Sequence, residues 1–239
     1  MNLIIDCGNT NLKYFIFKDQ VLLLTNLFKW EDDWSLKIIK NFPDLKNILL
    51  SDVTGKYNSA ELEKKFPNNK IYDVKALNFP FETNYNLENL GADRIGLIIA
   101  AINKFPKEDC LVIDAGSCLT FDFISSKSVH KGGLISPGLL FRYKSLYQYT
   151  STLPLIEFEN SETKIGKDTK NSIQSGIWEG FVFEIKGQIK KFKRKTPNLR
   201  VILTGGDSKY LYKRIKNSIF AEQEFLASGL NNLLKCNKL

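Results

Sequence analysis

The chain has 239 residues, 34 basic against 26 acidic for a formal charge of +8, with 43% apolar and 12% aromatic residues. At roughly 150 residues per domain this is one large domain or two small ones, and the apolar content excludes intrinsic disorder. No run approaches the roughly 20 apolar residues of a spanning helix, the best candidate (95–102) being broken by Gly96, and a single histidine argues against a zinc site or a histidine-based triad.

The chain opens with the apolar run Leu3-Ile4-Ile5, which ends in Asp6-Cys7-Gly8-Asn9-Thr10. No basic segment precedes it, so a strand is expected there rather than a signal peptide. Strands follow at 13–17 and 21–25, then a helix over 32–41, a strand at 47–50, a helix over 56–66, a strand at 70–72 and a helix over 92–104. The pattern then starts again. Leu111-Val112-Ile113 ends in Asp114-Ala115-Gly116-Ser117, and strands are expected at 119–124 and 129–135. A helix starts near Pro137, a long one runs from about Thr169 into the basic residues 190–195, and a strand at 200–203 precedes a closing helix over 222–234. Two mixed α/β halves with matching openings, 1–108 and 109–239, imply a duplicated fold with a cleft between the copies.

The run Lys190-Lys191-Phe192-Lys193-Arg194-Lys195 reads as the solvated end of that long helix, where cations suit the dipole. No aromatic ladder or helix-turn-helix pattern accompanies it, so no nucleic-acid or membrane partner is expected. Cys7, Cys110, Cys118 and Cys236 lack CxxC spacing and read as reduced thiols of a cytoplasmic protein. His130 reads as a strand residue near the surface.

The chemistry begins at the two Asp-x-Gly turns. Gly8 permits a tight turn, Asn9 and Thr10 offer donors to phosphate oxygens, and Asp6 sits where Mg²⁺ or its water shell needs a hard oxygen. Asp114-Ala115-Gly116-Ser117 repeats the set, and Thr204-Gly205-Gly206-Asp207 is a third glycine turn between a strand and a helix. A lone turn of this kind is ordinarily an Asx turn, but the repeat points to a nucleotide. No GxxxxGK[ST] occurs, which excludes a P-loop. In Gly91-Ala92-Asp93-Arg94, Asp93 either complements a helix N-terminus or accepts a proton from a hydroxyl while Arg94 binds an anion.

Together with Gly132-Gly133-x-Ile135-x-Pro137-Gly138 and Thr152-Leu153-Pro154, these motifs resemble type III pantothenate kinases over nearly the whole chain. The resemblance implies the duplicated ribonuclease H-like fold of actin-like ATPases and sugar kinases. It also implies ATP-dependent phosphorylation of pantothenate, with Mg²⁺, a monovalent cation (K⁺ or NH₄⁺) and a homodimer. Carried over residue by residue, Asp6, Cys7, Gly8, Asn9, Thr10, Asn11, Leu12 and Lys13 form the first ATP loop, and Ser117 contacts ATP. Asp93 is the proton acceptor. Tyr85, Gly91, Ala92, Arg94 and Thr169 contact pantothenate, and Asp114 holds the monovalent cation. Ser51-Asp52-Val53-Thr54 lacks the proline often found after the equivalent strand. Ile173, Ile177, Phe181 and Ile185, flanked by Trp178, form a stripe expected to face a second subunit. The competing reading is a non-catalytic nucleotide-binding protein of the kind that assists transcription.

Overall fold

The computed structural model describes residues 1–160, 165–216, 218–220 and 224–239. They form two units, one of Met1–Pro106, Ser128–His130 and Glu224–Leu239, the other of Lys107–Lys127 and Lys131–Gln223.

In the first unit β1 (Asn2–Cys7), β2 (Leu12–Lys18), β3 (Val21–Phe28), β4 (Asn47–Asp52) and β5 (Lys70–Asp73) form a sheet in the order β3-β2-β1-β4-β5. β1 pairs antiparallel with β2 and parallel with β4, so it is central and covered on both faces. That is why its apolar residues run on without alternation: Leu3, Ile4 and Ile5 are all inaccessible to solvent. One face meets an aromatic cluster in which the Trp34 ring of α1 (Trp34–Asn41) lies 4.4 Å from Phe28 and 6.1 Å from Tyr14. Below it, α2 (Ser59–Lys65) is capped by Asn58, whose Oδ1 accepts from Glu61 N at 3.1 Å. The helix therefore starts at Ser59 and not at Lys56.

The other face is covered by α3 (Ala92–Lys104) and by the closing helix, α7 (Glu224–Cys236). Here the expectation of a second half running 109–239 needs correction, because α7 packs with the first unit. Two glycines permit this packing. A Cβ on Gly229 would overlap the Gly96 carbonyl, and one on Gly96 would come within 2.7 Å of Leu226 and 2.9 Å of Leu230. The helices thus cross at backbone contact. Asn231 ties α7 to the sheet, accepting from Asn2 Nδ2 at 2.9 Å and donating to Asp19 O at 2.8 Å. Glu222, where this helix was expected to begin, lies outside the described residues. β6 (Glu82–Thr83), too short to show in the sequence, pairs Thr83 with His130.

The second unit repeats the topology. β7 (Cys110–Ala115), β8 (Cys118–Ile124), β9 (Val129–Pro137), β10 (Arg200–Thr204) and β11 (Ile219–Phe220) run in the order β9-β8-β7-β10-β11. β7 is again antiparallel to the next strand and parallel to β10. α4 (Leu139–Tyr149) and α5 (Thr169–Lys195) cover it, and a short α6 (Ser208–Leu211) follows β10. The expected interface stripe is core: Phe181 and Ile185 are fully buried, and Ile173, Ile177 and Trp178 nearly so, against β7, β8 and β10. Trp178 is covered from within the unit by Phe158, whose ring centroid lies 5.2 Å away. No helix of the described residues is long and apolar enough to cross a membrane.

Candidate active site

In the first unit, β1 carries Asp6 to the end of the sheet, opposite Lys13 on β2 and Ser51 on β4. Ser51 Oγ donates to Asp6 Oδ1 at 3.5 Å, a long hydrogen bond. The loop between the strands is closed by Gly8 N donating to Asn11 O at 3.1 Å. A Cβ on Gly8 would lie 3.3 Å from that carbonyl, which is why a glycine holds the corner. Asn9, Thr10 and Asn11 are exposed. Cys7 differs: its side chain is core, and its carbonyl accepts from Val53 N, just beyond β4, at 3.2 Å. Burial pushes its thiol well above the ordinary range.

The proline missing after β4 is replaced by an Asp52-centred turn. Asp52 Oδ1 accepts from Thr54 N and Oγ1, both at 2.7 Å, and Oδ2 accepts from Tyr57 N at 3.0 Å.

Asp93 lies in the first turn of α3, where its Oδ1 accepts from Arg94 N at 2.7 Å. Gly91 has a steric reason to be glycine, since a Cβ there would overlap Asp93 Oδ1. Asp6 and Asp93 feel one another. The Asp6 carboxyl is pushed up to about 7, first by burial and then by the charge of Asp93, with Lys13 and Ser51 opposing. Two neighbouring carboxylates in a poorly solvated setting disfavour each other's ionised form. Among the described residues no group of three or more His, Cys, Asp or Glu side chains converges as an all-protein metal cage would. Magnesium bound with a nucleotide needs only one or two carboxylates beside phosphate oxygens and water, and Asp6 fits that set.

Beside Asp93, the Arg94 side chain is buried with its guanidinium 4.9 Å from the Tyr85 ring centroid, a cation–π contact. Tyr85 packs in turn against His130 at 6.1 Å. His130 is fully buried, correcting the expectation of a surface position. Residues 79–85 fold over it, with Phe81 edge-on at 6.5 Å and Thr83 Oγ1 hydrogen-bonded to Nδ1 at 2.8 Å.

In the second unit three glycine turns converge on Asp114 and Ser117. Gly116 N donates to Cys118 O at 3.0 Å, and Gly138 N to Ser117 O at 3.1 Å. A Cβ on Gly138 would overlap the Gly116 and Ser117 carbonyls. Gly205, at φ +91°, has no room for one either, because it would strike Asp114 Oδ1. Asp207 N donates to Ala115 O at 2.9 Å, locking the third turn to the second. Burial pushes the Asp207 carboxyl up to about 6, against the pull of Lys209. Asp207 and His130 are residues to which the sequence reading gave no individual site role. The signal for Asp207 lay in the Thr204-Gly205-Gly206-Asp207 turn; His130 gave none.

Thr169 opens α5, but the cap is Asp168, whose Oδ1 accepts from Asn171 N at 2.8 Å. Thr169 is exposed beside a cavity of about 810 Å³, with Arg142, Lys167 and Ser172 among its lining. Arg142 is held there by Pro137 O at 2.9 Å and by an ion pair with Glu184.

Residues 2–191 match the model of the type III pantothenate kinase family. The chain belongs to this family. A type III pantothenate kinase of Christiangramia forsetii is 42% identical over all of this chain and 99% of its own length. One from Flavobacterium psychrophilum is 39% identical over the full length of both. Among solved structures, a protein of Campylobacter jejuni described as a Baf family transcriptional activator superposes with a TM-score of 0.62 at 26% identity, over 99% of this chain and 98% of its own. A protein described as a 2-dehydro-3-deoxygalactonokinase from Sinorhizobium meliloti gives 0.65 at 11% identity, over 99% of both chains. The likeness to a sugar kinase shows the fold: a duplicated ribonuclease H-like architecture, in which each unit's central strand ends in Asp-x-Gly. In this family member the two Asp-x-Gly turns therefore occupy equivalent places at the ends of β1 and β7.

Proposed function

We propose that this family member transfers the γ-phosphoryl group of ATP to the primary hydroxyl of pantothenate, giving 4′-phosphopantothenate for coenzyme A synthesis. One observation carries the chemistry: Asp6 and Asp93 share one electrostatic environment, with the Arg94–Tyr85 stack beside them. Pantothenate carries a carboxylate and a primary hydroxyl. Arg94, with Tyr85, Gly91 and Ala92, holds the anionic substrate, and Asp93 accepts the hydroxyl proton as the phosphoryl group arrives. Phosphoryl transfer depends mainly on positioning and charge, so a single placed carboxylate suffices.

ATP is assigned to residues 6–13 and to Ser117, whose glycine turns offer donors suited to phosphate oxygens. Magnesium, carried by ATP and approached by Asp6, supplies charge neutralisation at the phosphates. Asp114 is assigned to a monovalent cation, K⁺ or NH₄⁺; its support is that Gly205, having no Cβ, lets the carboxylate lie against the third glycine turn. The two units are read as two copies of one ribonuclease H-like domain, with α7 contributed to the first. Four free cysteines accord with a cytoplasmic location.

A homodimer is the remaining part of the reading. Its support is the outer face of α5, opposite the buried stripe. A Cβ on Gly176, Gly180 or Gly187 would meet nothing within 4 Å, and Phe183 beside them is 62% exposed. Small residues around an exposed aromatic suit close helix packing against a second copy, which would bring Thr169 near another subunit's substrate.

A non-catalytic role would need no proton acceptor, and Asp93 is present. The test is purified protein incubated with ATP, Mg²⁺, K⁺ and pantothenate. ADP released in step with a product heavier than pantothenate by one phosphoryl group supports the reading. ATP binding without that product would favour the non-catalytic one.

A further inference from the structure

The single histidine of the chain is buried beside the substrate residues, yet the reaction as derived makes no use of it. We infer that His130 is a positioning residue of the substrate site, acting on Arg94 through Tyr85. The inference rests on the reading of Arg94 as the group that holds pantothenate.

The contacts form a chain. Thr83 Oγ1 is hydrogen-bonded to His130 Nδ1 at 2.8 Å and accepts from Tyr85 N at 3.0 Å. One hydroxyl therefore fixes the imidazole and the backbone of the tyrosine together. Asn84 N donates to His130 O at 3.0 Å, which ties residues 83–85 to the strand that carries the histidine. The imidazole lies nearly perpendicular to the Phe81 ring, at 86°, and 6.1 Å from the Tyr85 ring centroid. Tyr85 then supports the Arg94 guanidinium. Residues 77–91 contain only β6 and one 3-10 turn, Leu87–Asn89, so the segment has little ladder of its own to hold Tyr85 in place. A buried polar ring with a fixed hydrogen bond is a stiffer support than an aliphatic side chain, since leaving its nitrogen unpaired carries a cost.

A guanidinium supported on a ring is worth about 1–2 kcal/mol when desolvated, a factor of about 5–30 in affinity. His130→Ala should therefore raise KM for pantothenate by about 5–30-fold, with kcat and KM for ATP changed by no more than about twofold. Thr83→Val, nearly isosteric, should do the same in part, and Thr83→Ser, which keeps the hydroxyl, should restore the native KM. Should His130→Ala fail to fold, the Thr83 pair carries the test. Arg94→Lys is the control for the underlying reading. If it leaves KM for pantothenate unchanged, the substrate assignment fails. If Arg94→Lys raises that KM while His130→Ala and Thr83→Val do not, or if either lowers kcat and worsens both KM values together, the positioning role is overturned.

Discussion

Asp6→Asn perturbs the electrostatics of the site more directly than any other substitution. Burial, and after it the charge of Asp93, raise the Asp6 carboxyl from 3.8 to about 7. At about 1.4 kcal/mol per pKa unit, the ionised carboxylate costs the ligand-free fold on the order of 4 kcal/mol, reduced where solvent reaches it. The folded state holds this proton more tightly than the unfolded chain does. The penalty is therefore fully present above pH 7, is relieved as the pH falls from 7 towards 4, and vanishes below that. Asn keeps the shape and a hydrogen bond to Ser51 but carries no charge. At pH 8, without nucleotide or divalent cation, the variant should be more stable than wild type by about 2–4 kcal/mol, or about 4–16 °C in Tm. The two melting temperatures should converge near pH 4–5, and added Mg²⁺ should stabilise the wild type alone. Thermal and urea unfolding between pH 5 and 8 measure this. An Asn variant that is less stable at pH 8, or an advantage independent of pH, would refute the reasoning.

Other expectations follow from single contacts. Gly229→Ala must push α7 off the Gly96 carbonyl and should cost about 1–3 kcal/mol by urea denaturation. If Asp114 holds a monovalent cation, turnover should be low in Na⁺ alone and recover in K⁺ or NH₄⁺; turnover indifferent to the cation would count against it. Phe183→Glu, on the exposed face of α5, should shift the protein towards monomers in sedimentation while its circular dichroism stays that of the folded chain, because the side chain is 62% exposed in a single chain.

The sequence carried the duplicated topology because each central strand is an unbroken apolar run closed by Asp-x-Gly, a signal local to a few residues. The position of Asp93 and Arg94 in the first turn of α3 was legible from Gly91 before an apolar run, whereas their roles came only from the family resemblance. What it hid depends on distant segments. His130 sits among Val129, Lys131 and Gly132, a context that looks solvated; its burial comes from residues 79–85 folding over it. The Ile173–Ile185 stripe with Trp178 looked too wide for one small unit because the cover supplied by Phe158 and Tyr210 lies far away in sequence. The placement of α7 turns on one glycine pair, and neither glycine names its partner. β6, α6 and β11 are too short for any periodicity to declare them.

The central claim is that phosphoryl transfer takes place at the carboxylate pair of the first unit, with Asp93 as proton acceptor. Kinetics of Asp93→Asn with pantothenate, alongside direct titration of ATP binding, test it most directly. Asn retains the size and hydrogen bonding but not the base, so kcat should fall by about 10²–10⁴-fold while ATP affinity stays within a few-fold. A variant with near-native kcat would contradict the account.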